Sequence, residues 1–61
     1  MTPLPGRLAV PARRALDAAG IDSLEAAADR SRRDVAALHG MGPRALALLD
    51  VALVDAGLGW A

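Results

Sequence analysis

Four residues, Gly40-Met41-Gly42-Pro43, restrict the fold of this chain more than any other stretch, because an apolar helical pattern starts directly behind them. Glycine tolerates backbone angles and close approaches that residues with a side chain resist, so this pair of glycines predicts a tight turn. Proline suits the first position of a helix, where its missing N–H would have no partner. Met41 can turn inward and hold the turn against the core. We therefore predict a sharp connection that leads straight into a helix.

The longest helix is predicted behind this turn. Its pattern runs from Pro43 to about Ala56, and Gly57 is the expected stop. Leu58 and Trp60 follow the stop, and we expect both to fold back onto the core. At about 100° per residue, one face of this helix consists of Ala45, Leu46, Leu49, Ala52, Leu53 and Ala56.

Three shorter helices are predicted before the turn. The first begins at Pro11 and reaches about Ala19, with Gly20 as its stop, and Leu8 and Val10 are expected in the core just before it. Its apolar stripe is Ala12, Ala15, Leu16 and Ala19.

Two polar clusters mark the starts of the second and third helices. Asp22 followed by Glu25 fits a capping box, which opens a helix that ends near Arg30. Ser31 is the candidate cap of a third helix that extends through Leu38.

No strand is predicted, because Val and Ile never alternate with polar residues over a run. The predicted fold is therefore all-α, a compact orthogonal bundle of four to five short helices. Residues 1–7, with two prolines and a glycine, are predicted to form an extended lead-in, and residues 8–61 to form the domain.

Composition excludes several classes of function. The chain has no cysteine and a single histidine, so neither a metal site nor a nucleophile–base pair can be assembled, and we predict a non-enzyme without cofactor. No signal peptide and no apolar run long enough to cross a membrane is present, which favours a cytoplasmic protein.

The charges are balanced overall but unevenly placed. Seven arginines face seven acids, with no lysine, and six of those arginines lie at or before Arg33. The densest run comprises Arg30, Arg32 and Arg33, and we expect a solvated face whose members pair locally with Asp29 and Asp34.

The predicted turn has the properties of an anion site. Backbone N–H groups at the start of the last helix stand at the positive end of its dipole, and phosphate is a common occupant of such a position. Arg44 lies one residue beyond Pro43, close enough to add a charge-assisted contact.

The string LHGMGPRAL at residues 38–46 resembles the hairpin of the helix-hairpin-helix family. With residues 18–25 and 55–58, most of the chain from Leu8 onward resembles the C-terminal domain of the bacterial RNA polymerase α subunit and its small stand-alone relatives. This resemblance implies DNA binding from the minor-groove side, by the hairpin together with the start of the first helix. The candidate DNA-binding residues are Gly40, Met41, Gly42, Arg44, Arg14, Arg13 and His39.

Three positions depart from the polymerase pattern. Pro11 stands where the family has its principal DNA-contacting arginine, Ala45 where it has a serine, and Leu48 where it has an acid. The resemblance therefore implies sequence-tolerant binding of the backbone, of modest affinity and sensitive to salt.

A second interpretation remains open, in which the chain is a protein-interaction or self-associating module. The last helix is apolar nearly all round, as in a helix that is either central in its domain or docked on a partner. A protein partner or a homodimer would use Leu48, Val51, Val54 and Trp60.

Overall fold

The computed structural model describes all residues, 1–61. Its elements are α1 (Val10–Ala18), α2 (Leu24–Ala28), α3 (Arg32–Ala36) and α4 (Pro43–Asp55), with no strand. The all-α prediction is confirmed, with four helices. Each helix ends one or two residues before the predicted stop, because the last residues of each pattern form the capping turn.

Glycine ends both of the longer helices in the same way. Gly20 and Gly57 have φ of +76° and +73°, which glycine adopts without a steric penalty. The N–H of Ile21 then donates to the carbonyl of Leu16 at 2.8 Å, and the N–H of Leu58 to that of Leu53 at 2.7 Å. These bonds are the Schellman pattern, which turns the residue after the glycine inward.

Serine caps both of the short helices. The hydroxyl of Ser23 accepts from the N–H of Ala26, and that of Ser31 from the N–H of Asp34, each at 3.1 Å. The predicted cap at Ser31 is confirmed. The predicted capping box at Asp22 is wrong, because the chain enters α2 one residue later and the Ser23 hydroxyl meets the first free N–H groups.

The lead-in (residues 1–7) is docked on the domain by hydrogen bonds at both ends. Thr2 donates to the Glu25 carboxylate from its N–H and its hydroxyl, both at 2.7 Å, and its carbonyl accepts from Leu24 at 2.9 Å. Farther along, the Arg13 guanidinium donates to the carbonyl of Pro5 at 2.8 Å.

The contact between Thr2 and Glu25 predicts that the stability of the protein decreases in acid. Hydrogen bonds from the backbone and hydroxyl of Thr2 lower the pKa of Glu25 from 4.5 to about 2. A lowered pKa means that the contact contributes to stability above about pH 4.5 and loses that contribution as the pH falls through about 2. NMR titration should show the Glu25 carboxyl and the Thr2 amide changing together near that lower pH. Independent titration of Glu25 at its ordinary value would contradict the docked lead-in.

α4 packs against α2 and α3, and α1 also contributes side chains to the core. Its most deeply buried large side chains are Leu16, Ile21, Val35, Leu49 and Leu53. Leu8 is buried as predicted, but the prediction for Val10 is wrong, because this residue already begins α1 on its outer side and is 60% exposed.

The end of the chain is held against α4 through Asp50. The Trp60 indole donates to this carboxylate at 2.7 Å, and Arg32 donates to it from two nitrogens, the closest contacts being 3.0 Å. The hydrogen bonds from Arg32 and then Trp60 lower the pKa of Asp50. Leu58 and Trp60 pack against the core, so the predicted fold-back is confirmed.

Candidate nucleic-acid interface

The hairpin (residues 38–42) is built on a tight turn between α3 and α4. The N–H of Met41 donates to the carbonyl of Leu38 at 3.0 Å, and Gly40, the third residue of the turn, has φ of +96°. A positive φ at this position is the mark of a type II turn, which favours glycine there. The Met41 side chain packs against the core, as predicted.

Gly40 also brings the hairpin into close contact with the start of α1. A Cβ at this position would lie 2.7 Å from the carbonyl oxygen of Pro11, closer than van der Waals packing allows. Gly42 differs, because its φ is −109° and a Cβ there would meet nothing within 4 Å. Only the first of the two glycines is therefore required by the fold.

Several backbone N–H groups of this region have no partner in the chain. At the start of α4 these are the N–H groups of Gly42, Arg44 and Ala45, since no side chain caps the helix. The N–H of Gly40 is also unpaired. The N–H of Met41, in contrast, is not free, because it closes the turn on Leu38.

Two arginines line a groove beside these N–H groups. The α4 groove has a volume of about 210 Å³ and is lined by Arg7, Ala9, Arg44, Ala45 and Leu48. Neither arginine takes part in a hydrogen bond or salt bridge within the chain. No carboxylate lines the groove, so an anion entering it would meet positive charge without a competing acid.

Arg7 was not among the residues singled out from the sequence. Leu8 is buried between Arg7 and Ala9. Arg7 and Ala9 therefore face outward on the same side, and Arg7 reaches the groove. The alternation of Arg7, Leu8 and Ala9 is a signal that the sequence contains. This signal could be interpreted only once the position of Arg7 beside α4 was known.

The predicted arginines of α1 lie elsewhere. Arg13 and Arg14 line a separate concavity of about 330 Å³, which also includes Asp17 and Asp22. Arg13 is in addition bound to the Pro5 carbonyl. The structure thus does not bring this pair into the α4 groove, although Arg14 lies one helical turn from Pro11, where the hairpin packs.

The remaining candidates are exposed. His39 occupies the second position of the hairpin turn and is open to solvent. In the arginine run, the predicted local pairing with Asp29 and Asp34 is wrong, since Arg32 pairs with Asp50 across to α4. The side chain of Arg33 makes neither a hydrogen bond nor an ion pair, and this residue is exposed.

The second face of α4 is only partly covered. Leu48 is half-buried against the core, whereas Val51 and Val54 are 62% and 74% exposed. The two valines, with Asp50 and Asp55, line a shallow groove of about 250 Å³. Trp60 covers the core and is held by Asp50.

No group of three or more His, Cys, Asp or Glu side chains is placed to hold a metal ion. None of the four helices combines the length and apolar character that crossing a membrane requires. Comparison with protein-family models, curated proteins and solved structures gives no match for this chain.

Proposed function

We propose that the protein is a small, non-enzymatic DNA-binding module of the helix-hairpin-helix type, with its helices in the orthogonal arrangement of that fold. Its hairpin and α4 groove contact the phosphate backbone from the minor-groove side, independently of base sequence. DNA in a bacterial cell lies in the cytoplasm, which is the location that the proposal implies.

The observation that carries the proposal is that Arg7 and Arg44 line the same groove and that no acid lines it. Guanidinium groups bind phosphate through charge-assisted hydrogen bonds. The unpaired N–H groups of Gly42 and Ala45 add donors at the positive end of a 13-residue helix. The two kinds of donor together suit successive phosphates better than a single free anion. Arg14, Arg13 and His39 are outer contacts in this proposal.

Charge reversal at Arg44 tests the proposal. We expect Arg44→Glu to weaken binding of a short DNA duplex at low salt roughly tenfold or more, because a hydrogen-bonded phosphate contact becomes a repulsion. The slope of log affinity against log salt concentration should decrease in magnitude by about one, as expected for the loss of one phosphate contact. Fluorescence anisotropy at two salt concentrations measures both quantities.

Arg33→Glu is the matched control for this substitution. It makes the same change of charge at an exposed arginine of α3 that does not line the groove. Equal losses of affinity in the two variants would show that only net charge matters, and the proposed interface would then be wrong.

A protein-interaction module is the second candidate, favoured by the exposure of Val51 and Val54. The exposed patch consists of two valines between Asp50 and Asp55. It is small for a stable interface, because such interfaces bury roughly 800 Å² on each partner. This candidate is tested by the oligomeric state of a Val54 variant, described below.

A further inference from the structure

The backbone that carries Arg7 into the α4 groove is held by packing on one side of this residue only. Gly6 and Arg7 form an exposed turn after Pro5. A Cβ on Gly6 would meet nothing within 4 Å, so the chain directly before Arg7 lies in open space. Directly after Arg7, Leu8 is buried in the core. The position of Arg7 therefore depends on what fixes the chain before it.

Arg13 of α1 holds this segment at both ends. Its guanidinium donates to the carbonyl of Pro5 at 2.8 Å, and its backbone N–H donates to the carbonyl of Ala9 at 3.0 Å. Arg7 is the middle one of the five residues that these two bonds enclose. The bond at Pro5 is the only side-chain hydrogen bond that residues 3–8 make. The side chain of Arg13 thus supplies a fixed point on the side of Arg7 where packing supplies none.

Arg14, the next residue of α1, makes no such contact. Both arginines line the concavity that includes Asp17 and Asp22, and neither lines the α4 groove. The Arg14 side chain has no hydrogen bond and no ion pair within the chain. Arg13 and Arg14 therefore have the same charge at adjacent positions of one helix, and only Arg13 is bonded to the segment that carries Arg7.

We propose that Arg13 is a positioning residue, which acts on DNA binding chiefly by holding Arg7 in the α4 groove. An arginine on a segment that is already fixed loses less conformational entropy when it binds a phosphate than one on a loose segment. This inference rests on the proposed function, and it gives Arg13 a role beyond an outer contact of its own.

A double-mutant cycle with a short DNA duplex at low salt tests this role. We expect Arg13→Ala to weaken binding about fivefold, comparable to the cost of ordering one backbone residue on binding. In a chain that already carries Arg7→Ala, the same substitution should weaken binding about twofold or less, because no arginine is left to position. Arg14→Ala is the matched control and should cost about twofold or less in both chains. Fluorescence anisotropy measures these affinities.

The order of the segment in the absence of DNA provides a second readout. The heteronuclear NOE values of the Gly6 and Arg7 amides should decrease in Arg13→Ala and stay unchanged in Arg14→Ala, while those of α2 and α4 stay unchanged in both variants. Both arginines are exposed, and alanine has the highest helix propensity, so both variants should fold. Circular dichroism checks this point.

The outcomes separate the two proposals. An equal loss from Arg13→Ala with and without Arg7 would show a direct contact, which overturns the positioning role and leaves the phosphate interface standing. Unchanged order at Gly6 and Arg7 in Arg13→Ala would also overturn it, as would duplex binding that Arg7→Ala leaves unaffected. Failure of the unsubstituted protein to bind the duplex would remove the proposed function and this inference with it.

Discussion

Replacing Gly40 with alanine is expected to lower the free energy of unfolding by about 3 kcal/mol, which sums two separate costs. A left-handed backbone costs a residue with a side chain roughly 1–2 kcal/mol, and forcing an atom into a packed contact costs a further 1–3 kcal/mol. Gly40 meets both conditions, since its φ is +96° and its Cβ would stand 2.7 Å from the Pro11 oxygen. Urea denaturation followed by circular dichroism measures the change.

Two other glycines separate the contributions. Gly20 has φ of +76° but no atom within 4 Å of its Cβ position, so Gly20→Ala should incur the backbone cost alone, about 1 kcal/mol. Gly42 has an ordinary φ and an open Cβ position, so alanine there should change stability by less than about 0.5 kcal/mol. Equal losses at positions 40 and 20 would show that the hairpin does not press on α1.

The consequence for a chain of 61 residues is large. A core of this size rarely supplies more than about 3–5 kcal/mol of net stability. Gly40→Ala is therefore expected to leave a substantial unfolded fraction even without denaturant. The contact between Gly40 and Pro11 also holds the hairpin against the start of α1. The hairpin is part of the proposed interface, so the fold and the interface depend on the same glycine.

Several parts of the fold that were predicted correctly are set by neighbouring residues. Gly20 and Gly57 end helices because the left-handed residue and its two hydrogen bonds lie within one turn. The cap at Ser31 and the helix start at Pro43 are likewise local. Each of these signals acts over three to five residues, so the pattern alone was sufficient.

Two features that were missed join residues far apart in the chain. Glu25 was assigned to a capping box, but Thr2, 23 residues earlier, takes both of its oxygens. Arg32 was expected to pair with a near neighbour, but Asp50, 18 residues away, binds it on two nitrogens. A local sequence pattern indicates only partners that are near in the chain, whereas tertiary packing also brings together residues that are far apart in the chain.

The candidate site likewise combines residues that a local motif predicted with one that depends on contacts distant in the chain. The hairpin and Arg44 followed from the sequence because one short motif contains them. Arg7 belongs to the groove only because Thr2 and Pro5 hold the lead-in to the domain. Arg7 thus adds a second arginine to the groove that Arg44 lines, from the segment that precedes α1.

Replacing Leu49 with alanine is expected to cost about 3 kcal/mol, within the range of roughly 2–5 kcal/mol for deleting a leucine side chain from a core. Leu49 is 0% exposed in the middle of α4, where loss of its branched end leaves a cavity that the small domain has little material to fill. Val51 lies two residues farther on and is 62% exposed. Val51→Ala should change stability by less than about 0.5 kcal/mol. Urea denaturation of both variants at two protein concentrations provides the measurement.

The contrast between Leu49 and Val51 also bears on the second candidate function. If a second copy covered Val51 and Val54, the Val51 variant would lose stability in proportion to the lost contact, and the loss would depend on protein concentration. Val54→Asp tests the same point by sedimentation, because this residue is 74% exposed and its substitution leaves the core intact. Leu48→Asp would be a poorer probe, since Leu48 is half-buried and packs against the core. A monomer before and after Val54→Asp would exclude self-association through this face, whereas a dimer that the substitution dissociates would favour the interaction module.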